Sequence, residues 1–297
     1  MAIEYIPVEA IGPAAPGFLR RLRRAVRRDP LAILSLAIMG LILVWAVLGS
    51  LIAPYPAQGE GASDVASRML PPSPAHWFGT DQLGRDVLSR VIVGARSAVV
   101  VSLLVVGLAV LVGVPLGAIA GYRRGRIDGI IMRTTDLFLA FPPLLLAMAI
   151  VAALGPGLDH AALALAVAWW PWYTRIARGM AVSLRELPFV EAARSIGIRD
   201  RSIVLRHVLP NSLTPILVQA TIDIGSVILA AGSLAFLGLG ATPPTPDWGL
   251  MVSEGRTYIL DQWWISTFPG LAIFVAVLAV NLFGDLLRDL LDPRRAR

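Results

Sequence analysis

The sequence predicts an all-α membrane protein with six transmembrane helices, and three features predict it. Of 297 residues, 56% are apolar and only 15% charged, where soluble domains carry about a quarter charged residues. Mean hydropathy is +0.71. The apolar residues gather into runs long enough to cross a hydrocarbon core of about 30 Å, which takes roughly 20 residues of helix. The arginines crowd onto alternate connections between those runs.

The first span is 31–52, since no charge falls between Asp29 and Glu60. Uncharged runs at 97–122 and 137–158 give the second and third. The fourth, 161–180, has only 15 residues between Asp159 and Arg175, so Arg175 must snorkel or face protein. The fifth, 213–236, is interrupted by Asp223, and the sixth, 263–284, is entered through Trp263-Trp264, an interfacial pair. An even number of crossings puts both termini on one side.

Arginine chooses that side. The amino-terminal arm, the second–third loop, the fourth–fifth loop and the tail hold 21 of the 26 arginines, and the opposite side holds five. Positive residues favour the cytoplasm, so both termini are expected there, with the chain multi-pass in the inner or plasma membrane. The chain then divides into a basic arm (1–30), a first helix (31–53), an outer segment (54–96), a five-helix core (97–290) containing an inner loop at 181–212, and a tail (291–297). Residues 18–28 form either an interfacial helix or a loose basic arm. The basic region and the apolar run after it are both too long for a cleaved signal peptide.

Composition excludes several functions. There is no Lys, so no GxxxxGK[ST] phosphate loop exists. With no Cys there is no disulfide, thiolate nucleophile or Cys-ligated metal. His76, His160 and His207 are far apart and have no metal-ligand spacing. No cofactor or metal is expected, and topology explains the net charge of +6 without nucleic acid.

Two patterns inside the apolar chain carry structure. Gly113, Gly117 and Gly121 recur every fourth residue, a small-residue stripe that lets helix backbones approach closely; the seam lies within the subunit or against a partner. On the basic side, Pro188 suits a first helical position, Glu191 falls in the dipole-favoured first turn, and Ala192 and Ala193 favour helix. Gly197 can end it in the left-handed region. About two turns of helix anchored at both ends read as a docking element for a soluble protein, or as an ordinary interfacial helix.

Glu191-Ala192-Ala193, three residues, Gly197 and then Leu209-Pro210 resemble the EAA loop of binding-protein-dependent ABC importer permeases. His207 departs from the general pattern, which often has Ile two residues before Leu-Pro, and resembles the peptide permease form. The segment Phe78-Gly79-Thr80-Asp81-Gln82-Leu83-Gly84-Arg85-Asp86-Val87-Leu88-Ser89-Arg90 is similar to GTDxxGRDxxSR of the dipeptide/oligopeptide/nickel subfamily. So are Met132-Arg133-Thr134-Thr135-Asp136, Phe236-Leu237-Gly238-Leu239-Gly240, and Asn281-Leu282-Phe283-Gly284-Asp285, in matching order from about residue 31 onward. Where relatives often carry Glu near the end of the fifth span, this chain has Ala231-Gly232.

The resemblance, to the C-type subunit of peptide permeases, implies a type I ABC importer (MetI-like) permease core preceded by one extra amino-terminal span. It implies that Glu191, Ala192, Ala193, Gly197, Leu209 and Pro210 couple to a cytoplasmic ATPase, and that the chain itself is no enzyme. The implied partners are a homologous second permease, two ABC ATPase subunits, an extracytoplasmic solute-binding protein and the lipid bilayer. The solute would be a di- or oligopeptide, or alternatively nickel or another small solute.

Acids in or near the spans remain. Asp223 either lines the solute path or is a structural acid bonded to Thr221, Ser226 or a partner subunit; a bare mid-bilayer carboxylate is costly. Arg133 and Asp136 have the i, i+3 spacing of a local ion pair. Asp81, Arg85 and Asp86 could pair within one turn, as a surface for the solute-binding protein or as part of a cap over the bundle. A secondary transporter would favour paired inverted repeats, and none is evident; nor is an intramembrane catalytic pair.

Overall fold

A computed structural model of the chain describes residues 29–291, and those residues form helices, turns and one isolated bridge, Thr80 to Asp86. The expected arm at 18–28 and the tail from 292 lie outside the described residues. Nine helices matter here: α1 (Pro30–Ile52), α2 (Val87–Arg123), α3 (Gly125–Leu139), α4 (Pro143–Leu154), α5 (Leu158–Arg185), α6 (Pro188–Ser195), α7 (Leu209–Phe236), α8 (Trp248–Gly255) and α9 (Trp264–Leu291).

Length and apolarity let α1, α2, the continuous 200–236 segment containing α7, and α9 each cross a membrane, and α3 with α4 adds a fifth if the bent pair is one span rather than a re-entrant loop. The sixth long helix is α5. It is not among the helices apolar enough to cross by composition alone, and two of its arginines pair with acids of α3. Arg175 donates to Asp136 at 2.7 Å, and Arg178 donates to both oxygens of Asp128 at 2.6 and 2.7 Å. Asp136 therefore pairs across helices with Arg175, and the local pair expected with Arg133 does not form. Reach explains it: a cross-helix carboxylate meets the one guanidinium that would otherwise sit bare on α5.

The third span departs most from expectation. The uncharged run 137–158 is not one helix; α3 and α4 meet at 85°. Pro142 and Pro143 stand at the break. A proline disfavours helix for the residue before it and cannot donate within one. The expected second span also starts too late. Its helix begins at Val87, capped by Asp86 accepting from the Ser89 N–H at 2.8 Å. The expected outer segment ends at Arg96, but Arg96 lies exposed within α2, and Arg90, nearer the start of the helix, is buried and paired with Asp81.

The core is assembled around α2. Gly113, Gly117 and Gly121 lie against α5 in the same subunit, facing the carbonyls of Trp170, Thr174 and Arg178 in turn. A Cβ on Gly117 would come 2.8 Å from the Ala177 Cβ and closer still to the Thr174 carbonyl. Around this seam Val101, Val105, Leu165, Tyr173, Ile216 and Leu234 form the main core cluster. Many exposed side chains of α1, among them Leu34, Leu41, Val47 and Leu51, are large and apolar, the surface a helix offers to lipid.

Turns and short helices between Ala53 and Asp86 fold over the arginine-poor end. Asp81 Oδ1 accepts from the Leu83 and Arg85 N–H groups, and Oδ2 from Arg85 Nε at 2.6 Å and Arg90 at 3.1 Å. Arg85 reaches on to Glu254 of α8 at 3.0 Å. Asp86 also meets His76 Nδ1 at 2.9 Å. Trp264 Nε1 donates to the Thr80 carbonyl, tying the cap to α9, and Trp248 Nε1 donates to that of Val91, tying α8 to α2. Asp81, Arg85 and Asp86 are 4, 0 and 1% exposed. The side chains considered as a surface for an outer partner thus lie inside the cap, because paired charges hold their loop down onto α2 and α8. Asp86 stands outside the Asp81–Arg85 pair and caps α2.

Candidate functional site

The organised element at the arginine-rich end is α6. Pro188 occupies its first turn, where a missing N–H costs nothing, and Glu191 is the acid of that turn. It ends in a Schellman closure: the Gly197 N–H donates to the Arg194 carbonyl at 3.0 Å and the Ile198 N–H to that of Ala193 at 3.1 Å. Gly197 has φ +80°, a conformation that glycine adopts without the Cβ clash.

Val190 and Ala193 bury one face of α6 against Tyr122 of α2, Ala181 of α5, Ile203 and Val208. The other face is open. Glu191 and Ala192 lie on it, with Phe189 43% and Ile196 77% exposed. A short helix pinned on one side and apolar outward on the other is shaped to meet a protein.

Tyr122 is the pin, and sequence reasoning missed it. Its hydroxyl donates to Asp200 Oδ1 at 2.8 Å and accepts from Arg194 at 3.2 Å. Its carbonyl accepts from Arg185 at 2.6 Å. The Arg185 and Arg194 guanidiniums lie 5.8 and 5.5 Å from its ring centroid, within cation–π range. The hydrogen bond to Tyr122 is the largest influence raising Arg194 above the ordinary arginine pKa, so its charge is fixed. One signal was available: Tyr122 closes an apolar run, where interfacial aromatics gather.

Beyond α6, Asp200–Ile203 leads through a π-helical stretch, Val204–Val208, into α7. The Leu209 N–H donates to the Val204 carbonyl, five residues back. Pro210 explains the widening: it has no N–H, and its ring would strike the carbonyl four residues earlier in a regular turn. Leu209-Pro210 thus shapes the joint between α6 and α7, while Glu191, Ala192 and Gly197 are exposed and Ala193 is buried. The glycine stripe and Asp223 are elsewhere. Asp223 lies 14 residues past Leu209, about 21 Å along α7, and is 8% exposed. It accepts from the Tyr173 hydroxyl at 2.7 Å and from Gln219 Nε2 at 3.0 Å. Thr221 instead bonds the Leu217 carbonyl.

A bundle of lipid-compatible helices with a short helix anchored at its charged end is the architecture of a multi-pass membrane protein. The chain belongs to the family described as "Binding-protein-dependent transport system inner membrane component", which it matches over residues 113–297. Residues 17–72 match the "N-terminal TM domain of oligopeptide transport permease C". It is thus the permease subunit of a binding-protein-dependent ABC importer, with a MetI-like core and an additional amino-terminal helix.

Among similar proteins is the "Probable D,D-dipeptide transport system permease protein DdpC" of Escherichia coli (strain K12), 46% identical and covering 91% of this chain and 89% of that protein. The "Dipeptide transport system permease protein DppC" of Alkalihalophilus pseudofirmus is 45% identical, covering 88 and 86%. The "Glutathione transport system permease protein GsiD" of Escherichia coli O6:K15:H31 is 44% identical, covering 91 and 89%. In fold, a chain of the MetNI methionine ABC transporter, solved in inward facing conformations, matches 68% of this chain and 97% of its own with a TM-score of 0.55 at 18% identity.

Proposed function

We propose that this permease forms half of a translocation pathway for di- or oligopeptides, paired with a homologous second permease. In this reading α6 docks onto one of two cytoplasmic ATPase subunits, a solute-binding protein delivers peptide from outside, and both termini are cytoplasmic. The similar proteins named for dipeptides and glutathione favour peptides over nickel. The observation that carries the coupling role is the geometry of α6, open to solvent on one face and joined through Tyr122, Ala181 and Val208 to the ends of α2, α5 and α7. A force on the helix is thereby delivered to three helices at once. ATP can shift the transporter between outward- and inward-open states only if the ATPase grips α6 differently in each.

The proposal is tested by reconstituting the permease pair, ATPases and binding protein in vesicles and following labelled dipeptide. The expected result is ATP-dependent uptake that needs the binding protein and is lost in Glu191→Arg together with ATPase co-purification. Uptake that runs on an ion gradient without the ATPases would contradict it.

Asp223 is given a different role. Each oxygen accepts from one neutral donor, so the carboxylate ties α7 to α5 and leaves the path to other groups. Asp223→Asn is expected to lower stability by about 1 kcal/mol with uptake per assembled complex unchanged. Loss of uptake in an intact complex would restore Asp223 to the solute path.

A further inference from the structure

We infer that the permease carries a site for an anionic phospholipid at the joint between its coupling segment and α7. A cavity of about 300 Å³ opens there between the arginine-rich end of α2 and residues 200–209. Its walls are apolar: Pro115 and Ile119 on one side, Val204, Leu205 and Leu209 on the other. Arg123 and Arg201 line it as well, and both are exposed.

The two walls are graded the same way. On α2, Arg123 lies eight positions past Pro115, and on the facing segment Leu209 lies eight positions past Arg201. Each wall therefore runs about 12 Å from an arginine at the charged end to apolar side chains deeper in the bundle. One acid also lines the cavity, Asp200, and its carboxylate already accepts from the Tyr122 hydroxyl. Among the described residues no ion pair engages Arg123 or Arg201. Two free guanidiniums above a narrow apolar slot match a phosphate headgroup with an acyl chain beneath it. A soluble anion would leave the slot empty, and a neutral lipid would leave the arginines without a counter-charge. The arginine excess puts this end at the inner leaflet, where anionic lipids attract such residues.

The position gives the lipid a consequence. Val204 and Leu205 belong to the π-helical stretch between α6 and α7, so a chain in the slot props the element that passes motion from the peg to α7. The inference goes beyond the transport reading and depends only on the membrane topology.

The test uses the whole transporter, equilibrated in vesicles of equal phosphatidylglycerol and phosphatidylcholine, then released and analysed by native mass spectrometry for retained lipid. Wild type is expected to retain phosphatidylglycerol. The Arg123→Gln/Arg201→Gln pair should reduce retention about tenfold or more, and Ile119→Trp, which fills the slot with both charges kept, should reduce it comparably. Arg126→Gln/Arg133→Gln removes the same charge from the same end outside the cavity and should leave retention unchanged. Equal retention of both lipids, or an equal loss in this last pair, overturns the site. So does cross-linking of Leu205→Cys to the second permease or an ATPase, which would show that protein fills the slot. If the arginine pair fails to assemble, Ile119→Trp decides alone.

Discussion

Gly117→Leu is expected to abolish assembly of the permease, whereas Gly107→Leu on the same helix should leave it intact. Lipid tails are as apolar as the side chains of a span, so α2 and α5 are held mainly by close contact and dispersion. That contact exists because Gly117 has nothing between its Cα and the α5 backbone. A Cβ there meets the Thr174 carbonyl, the Ala177 Cβ at 2.8 Å and the Arg178 N at 2.9 Å. Two of these are backbone atoms, which cannot turn aside as a side chain end can. Helix α5 must move outward, opening the Gly113 and Gly121 contacts and pulling Tyr173 from Asp223 and Arg178 from Asp128. Overpacking typically costs about 1–3 kcal/mol, and a clash with backbone on two sides belongs at the upper end. Gly107 has nothing within 4 Å of a built Cβ, and a surface change is usually worth no more than about 0.5 kcal/mol. The check is yield and thermal midpoint of the solubilised complex. Normal yield and midpoint for Gly117→Leu would refute the seam.

The second large effect is expected from Asp81→Ala. Arg85 and Arg90 are completely buried, and Asp81 Oδ2 binds both. Glu254 remains for Arg85 at 3.0 Å but stands 3.7 Å from Arg90. Without Asp81 the buried Arg90 guanidinium loses its hydrogen-bonded counter-charge and keeps only Glu254 at 3.7 Å, and the Leu83 and Arg85 N–H groups lose their acceptor. Breaking one partner of a buried pair costs about 3–5 kcal/mol. The cap should loosen from α2 and α8, measured as a lower thermal midpoint and faster proteolysis within 54–86. Asp81→Asn keeps an acceptor for both backbone donors and should lose less. A wild-type midpoint for Asp81→Ala would show that the network bears no load.

How much of this was legible in the sequence depends on what each residue answers to. Helix α6 was readable because Pro188, Glu191 and Gly197 act through local rules of helix start and stop, and the structure places helix and turn there. The glycine stripe announced a seam, but spacing alone cannot name the opposing helix, which is α5. Arg96 and Arg175 misled in opposite directions. One marks the end of the expected outer segment and lies exposed within α2, and the other threatened a span and is paired with Asp136, a partner distant in sequence. The fracture at Pro142-Pro143 is legible in the proline pair itself, although the uncharged run around it reads as one continuous span. Tyr122 was invisible as a hub because its partners come from 63 to 78 residues away.

The central claim is that the open face of α6 is held by an ATPase inside the cell. The chain has no cysteine, so Ala192→Cys in the complete transporter offers a single thiol on that face for a short thiol-to-amine cross-linker. The account predicts that this position captures an ATPase subunit, that capture stops uptake, and that a membrane-impermeant thiol reagent applied to intact cells leaves it unlabelled. Labelling from outside, or an assembled and active transporter in which Ala192→Cys captures no ATPase, would contradict it.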